Sequence, residues 1–309
     1  MGDMRIVSLL PSATEIVYAL GLGDQLFGVT HECDWPPEAR AKPVVSRSTL
    51  PVAAGGPAAA PSPREIDRLV GESVEEGGQL YRLDHEAVRA LEPDLVLTQD
   101  LCAVCAVPAG HVTEALSLLG SPAEVVSLDP GSLGEVLDCL LQVGRVTGTL
   151  PRARAVVDGL KARLAAVAAA LAGLPRPRTF ALEWSDPPFN AGHWVPGMID
   201  LAGGESVLGS PGTPSVRIGW ERIAAADPAV VVFMPCGYDL PGAAREASRE
   251  GGLLERPELA GASAFYAVDA SAYFSRPGPR LVDGVEILAA ALHPGAATPP
   301  PPDSLARLR

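Results

Sequence analysis

Seven short apolar runs punctuate the chain, at residues 6–10, 26–30, 94–98, 124–128, 179–184, 229–234 and 264–268. Most are apolar throughout rather than alternating, as strands buried on both faces of a parallel sheet should be. Between them lie stretches with apolar residues at three- and four-residue spacing, at 13–20, 85–91, 112–119, 133–147, 195–202, 220–225 and 279–292. That spacing predicts helices with one buried face. Strands alternating with helices predict an α/β fold with parallel sheets. The longest helical pattern, 151–174, opens on Pro151 and closes near Gly173 and Pro175, a proline-in, glycine-out signature. It divides the chain near its centre. The expected organisation is an N-terminal lobe over 1–150, a connecting helix over 151–174, a C-terminal lobe over 175–295 and a Pro-rich tail over 296–309. Prolines 299–302 predict a loosely packed tail, and the Pro/Ala/Gly stretch at 50–63 predicts a flexible surface loop.

The two halves repeat each other. HEAVRALEPDLVL at 85–97 matches WERIAAADPAVVV at 220–232 with a constant offset. Glu86 meets Glu221, Val88 meets Ile223, and Pro93 meets Pro228. Nearer the start of each half, Ile16, Val17 and Gly21 correspond to Met198, Ile199 and Gly203. Two βα lobes joined by one long helix predict a ligand cleft between the lobes, because ligands of open α/β sheets sit beyond the carboxyl ends of the strands. One stiff connecting helix predicts only small hinge motion.

Composition narrows the partners. Lys+Arg 24 against Asp+Glu 37 gives a net charge of -13, which excludes nucleic acid and anionic membranes as principal partners. No run of 18 apolar residues predicts a membrane span. Five cysteines form an odd, sparse set, and the N-terminal stretch lacks the basic and apolar regions of a leader. Both features predict a cytoplasmic protein as the sequence stands, and a periplasmic one if a leader was removed. The expected state is a monomer.

The segments following the strands carry the candidate chemistry. They hold His31, Glu32, Cys33, Asp34 and Trp35; then Gln99, Asp100, Cys102 and Cys105; then Asp186, Phe189, Asn190, His193 and Trp194. Cys236, Tyr238 and Asp239 follow the next strand, and Asp269, Tyr273, Phe274, Arg276 and Arg280 the last. Cys33, Cys102, Cys105, His193 and Cys236, with His31, offer soft ligands to zinc or iron. Cys102 and Cys105 have the spacing of one zinc half-site, but no second pair is present. The alternative is that these thiols pack as small hydrophobes. Cys139 falls on a helical stretch and is expected in the core, while His85, His111 and His293 are expected at the surface. Catalytic motifs are missing: the chain has no GxSxG elbow, HExxH pair or phosphate loop. Glu32, Asp34, Asp100, Glu183 and Asp186 remain as acid/base candidates. Gly203 and Gly204 read as a helix C-cap.

Several segments, taken together and in order, resemble the helical-backbone periplasmic binding proteins, the cobalamin- and siderophore-binding components of ABC importers. They are RIVSLLPSATEIVYALG, GVTHECDWPPEA, HEAVRALEPDLVL, DPPFNAG followed by MIDLAGGESVL, and YFSRPGPRLVDGVEILAAAL. The resemblance covers about residues 4–293. It implies two βα lobes on a rigid helix, a small-molecule ligand between them and no enzymatic activity. It also implies a permease docked through one glutamate per lobe, which here are Glu86 and Glu221. Cobalamin-binding members line their cleft with aromatics. Here Glu32 and Cys33 stand in the matching loop, and the loop after Gln99 lacks an aromatic. The expected ligand is a corrinoid or similar metal chelate, with no cofactor required. Phe189, Trp194, Trp220, Tyr238, Tyr273 and Phe274 would stack on it. His31, Glu32, Cys33, Gln99, Cys102, His193 and Cys236 would give polar or axial contacts, and Arg276 would pair with acidic substituents. The alternative is a cytoplasmic metal protein or enzyme with a Cys/His-rich site between the lobes.

Overall fold

A computed structural model describes residues 4–50, 61–75, 80–100, 107, 109–118 and 120–309. The chain forms two compact units, Met1–Pro130 with Leu137–Val157, and Gly131–Val136 with Asp158–Arg309.

The first unit is built from β1 (Ile6–Ser8), α1 (Pro11–Ala19), β2 (Leu26–Thr30), β3 (Val44–Ser48), α2 (Pro63–Glu75), β4 (Tyr81–Leu83), α3 (His85–Leu91), β5 (Leu95–Thr98), α4 (Ala109–Leu118), β6 (Glu124–Ser127) and most of α5 (Leu133–Val146). Its sheet has the order β4-β3-β2-β1-β5-β6. All neighbours are parallel except β4, which closes the edge antiparallel to β3. β1 and β5 are buried at every position, the consequence of helices on both faces. Val7, Leu9, Val45, Val88, Val96 and Val112 are among the residues of the core on one side. The strand order reverses about β1, which places a switch point there.

α6 (Leu150–Ala170) begins in the first unit and continues in the second. The second unit adds β7 (Arg178–Ser185), β8 (Pro188–Asn190), α7 (Val195–Leu201), β9 (Glu205–Ser206), α8 (Trp220–Ala225), β10 (Val230–Phe233), α9 (Leu240–Ser248), β11 (Ala264–Val268), α10 (Ala270–Tyr273), α11 (Leu281–Leu292) and β12 (Leu305–Arg307). Its sheet has the order β12-β11-β10-β7-β8, with β9 also on β7. Phe180, Phe233 and Phe265, from three adjacent parallel strands, are fully buried in its core.

The internal repeat survives in backbone detail. α3 and α8 start at the repeat offset, and so do β5 and β10. Glu92 and Asp227, again at that offset, both take left-handed conformations (φ 43° and 45°) where their helices end. In the other matched pair, Gly21 and Gly203 have φ 77° and 78°. Leu22 N–H donates to Val17 O at 3.0 Å, and Gly204 N–H donates to Ile199 O at 2.9 Å. That is a Schellman C-cap in both helices, and only glycine enters it without strain. The matched sequence positions therefore encode the same caps twice.

Three expectations are corrected. The tail is not loose throughout: β12 adds antiparallel to β11, pairing Tyr266 with Arg307 and Val268 with Leu305. A three-residue edge strand after a proline run carries too few apolar positions to show a period. His293, the C-cap of α11, is 8% exposed and not at the surface, because its Nε2 lies 3.2 Å from Gly203 O after α7. β3, β4, β8, β9, α2, α9 and α10 appear where no element was expected. Most of the 50–63 stretch lies outside the described residues.

Candidate functional site

At the carboxyl end of the first sheet, β2 runs into His31, Glu32 and Cys33. Thr30 Oγ1 lies 3.3 Å from His31 Nδ1. The His31 ring stands 6.2 Å from Tyr81, whose hydroxyl donates to Glu32 Oε2 at 3.3 Å. Tyr81 is there because β4 runs antiparallel to β3, so the start of β4 meets the end of β3. Cys33 turns inward. It is 4% exposed, and its Sγ lies 3.0 Å from Thr14 Oγ1, which donates to Ser8 Oγ at 2.9 Å. The thiol thus belongs to a buried hydroxyl chain against α1, which is the packing alternative drawn from the sequence. Trp35 does the opposite: it is 45% exposed, on the loop after β2.

Gln99, at the end of β5, is 4% exposed, and its Oε1 has no hydrogen-bond partner among the described residues. Asp100 Oδ1 accepts from Ala109 N–H at 2.7 Å, at the start of α4. Cys102 and Cys105 lie outside the described residues. The first unit also holds a cavity of about 1060 Å³, lined among others by Arg47, Tyr81, Arg82, Glu86 and His111. Glu86 is exposed in the first turn of α3.

In the second unit the strand ends carry more rings. Phe189 on β8 has the Arg217 guanidinium 5.7 Å from its centroid. Trp184 meets Tyr238 edge-on at 5.9 Å. The Arg280 guanidinium lies 5.1 Å from the Tyr273 ring, and Arg276 Nη2 donates to Ser271 Oγ at 3.3 Å. Asp269 caps α10 by accepting from Ala272 N–H. Burial pushes its carboxyl up, against the downward pull of that N–H, Arg280 and Arg276. Burial also raises the Tyr238 phenol, with Glu246 adding to the shift, and lowers the His193 imidazole. Cys236 is exposed, while Cys139 is buried as expected.

Three expected stacking residues are placed otherwise. Trp194 is 7% exposed, and its Nε1 donates to Phe274 O at 2.8 Å. Phe274 is 2% exposed. Both are inside the second unit, where they dock α7 on the end of α10. Trp220 packs against the core with Arg256 over its ring at 3.8 Å. Glu221 beside it is exposed in the first turn of α8.

Among the described residues no group of three His, Cys, Asp or Glu side chains is placed to hold a metal. The residues missed by sequence reasoning are Tyr81, Trp184 and Arg217; Trp35 is legible in the loop after the second strand, but sequence reasoning assigns it no contact to a ligand. Tyr81 and Arg217 lie in stretches with no readable period.

The sequence profile described as "Periplasmic binding protein" matches residues 6–266. The vitamin B12-binding protein of Vibrio cholerae is 23% identical over 286 residues, spanning 91% of this chain and 86% of its own. Among solved structures, a periplasmic heme-binding protein from Pseudomonas aeruginosa superposes with a TM-score of 0.70 at 24% identity, over 98% of this chain and 97% of that one. The periplasmic vitamin B12-binding protein BtuF of Vibrio cholerae superposes at 0.65 and 22% identity, over 93% and 96% of the two chains. At such identities the likeness of structure is a likeness of fold. Among the described residues no helix is long and apolar enough to cross a membrane.

Proposed function

The chain belongs to the periplasmic binding protein family, and we propose that it captures a flat metal-bearing macrocycle, cobalamin before haem, and hands it to an ABC permease. It is a solute-binding protein and not an enzyme. The observation that carries the ligand reading is the set of incompletely buried rings at the strand ends of each unit: Trp35 and Tyr81 in the first, Phe189, Tyr238 and Tyr273 in the second. Such rings offer broad apolar contact at little entropic cost to a planar chelate. A vitamin B12-binding protein is similar to this chain over most of its length, which puts cobalamin first. Arg217 and Arg280 beside those rings, with Arg276 on Ser271, favour haem as the second reading, because its carboxylates would pair with guanidinium groups.

Glu86 and Glu221, exposed at matched positions on matched helices, are the proposed contacts to basic residues of the permease. The proposed place of action is outside the cytoplasmic membrane.

Parallel titrations with cyanocobalamin and haemin, followed by absorbance and calorimetry, test the ligand. Saturable one-to-one binding of cobalamin, weakened about tenfold by Phe189→Ala through loss of stacking area, is the expected result. Tight binding of haemin alone would replace cobalamin by haem, and binding of neither would refute the macrocycle.

A further inference from the structure

The segment 209–217 lies as a strap along residues 188–193 of the second unit. Phe189 and Arg217 form an antiparallel bridge. Val216 N–H donates to Asn190 Oδ1 at 2.7 Å, and Asn190 N–H donates to Val216 O at 3.2 Å. His193 N–H donates to Thr213 O at 2.6 Å, and Gly212 N–H donates to His193 O at 2.9 Å. Gly192 is required at the crossing, since a Cβ there would run into the backbone of Thr213, Pro214 and Ser215.

One acidic side chain sits under this crossing. The Ser215 hydroxyl donates to Glu183 Oε2, and Gly192 N–H donates to Ser215 Oγ at 3.0 Å and serves the Glu183 carboxyl as well. Three parts of the chain, β7, the turn after β8 and the strap, therefore meet at one carboxyl group.

We propose that Glu183 is a positioning residue: through Ser215 and Gly192 it sets how firmly the strap is seated across residues 188–193, and so how Phe189 is presented. The consequence for ligand rests on the macrocycle reading above, whereas the seating of the strap does not.

The sign of the effect follows from solvation. Burial holds the Glu183 carboxyl above its ordinary range, and the two hydrogen bonds only partly offset this. The other titratable groups on the surrounding elements are Arg178 and Asp186 on and after β7, His193 on the turn, Arg217 on the strap, Cys236, Tyr238 and Asp239 after β10, and Arg245 and Glu246 on α9. None is among the causes of the shift. An ionised Glu183 therefore gains hydration when the strap lifts, and rising pH loosens the strap. A neutral group that still accepts the Ser215 hydroxyl keeps it seated. Loss of that hydroxyl leaves the carboxylate buried with one donor fewer.

Hydrogen–deuterium exchange of the full chain, corrected for the intrinsic rate, tests this between about pH 5 and about pH 8 on peptides covering 188–193 and 209–217. In the wild type, protection should fall with pH, with a limit of about tenfold per unit of difference between the seated and lifted carboxyl values. Glu183→Gln should be better protected at neutral pH and lose the pH slope. Ser215→Ala should be less protected throughout. Equal protection and equal slopes in the wild type and Glu183→Gln would overturn the proposal, as would Ser215→Ala matching the wild type. Titrations of the same variants with cyanocobalamin and haemin are read separately. If neither binds, the ligand reading fails while the exchange data still decide the role of Glu183.

Discussion

Single residues in this chain are chosen as much for backbone shape and solvation as for contact. His193 has φ 51°, in the left-handed region where few side chains are comfortable. Histidine and asparagine tolerate that region, and β-branched residues do not. His193→Val should therefore cost about 1–2 kcal/mol in denaturant unfolding, whereas His193→Gly should be near neutral. Glu183 gives a second test. Because its folded-state value is raised, its contribution to stability is present below the unfolded value and lost as pH rises through the folded one. Glu183→Gln should raise the Tm at neutral pH, and the gap to the wild type should close as the pH falls. Burial pushes Asp269 the same way, so its titration adds to the same decline in the wild type.

At the scale of elements, the shortest strands depend most on context. β12 has three residues, yet Phe265 N–H donates to Arg309 O at 3.1 Å, Leu308 N–H donates to Phe265 O at 2.8 Å, and Arg309 Nη2 donates to Leu259 O at 2.5 Å. Each such bond contributes about 1 kcal/mol net, and removing the strand leaves a bare sheet edge. Deleting residues 305–309 should lower stability by about 2–4 kcal/mol, read from the urea midpoint, and increase aggregation. The central strands depend less on context. β5, β10 and β11 are buried at every position and, apart from Thr98 at the end of β5, built of apolar and aromatic residues, and that composition is visible without a structure. β4 and β12 were missed because three residues cannot display a period, and what makes them strands is a neighbour's unpaired edge.

At the scale of the molecule, the two units have the same plan: a sheet with a parallel centre whose order turns about its first strand, with a short helix leading into the next central strand. Duplication explains why Glu86 and Glu221 stand at equivalent places. If they dock a permease, replacing both by glutamine should abolish ligand uptake in whole cells and leave the dissociation constant of the purified protein unchanged. Loss of both together would instead tie these residues to ligand binding. Their exposure at helix starts predicts little change in unfolding free energy, within about 0.5 kcal/mol.

The sequence determined the strand–helix alternation, the repeat and the capping glycines, because these are local: a parallel strand covered on both faces is mostly apolar, and a Schellman cap takes glycine without strain. It also determined which loops follow the strands. Only the tertiary structure decided which loop residues face outward. Trp35 is presented and Trp194 is buried, although both follow strands in polar loops. Cys33 turns under α1 because Thr14 and Ser8 wait there. Ser215 reaches Glu183 because a strap more than thirty residues away in sequence crosses a glycine with no Cβ to block it. Direction and proximity of side chains depend on what packs from elsewhere in the chain, and no local pattern encodes that.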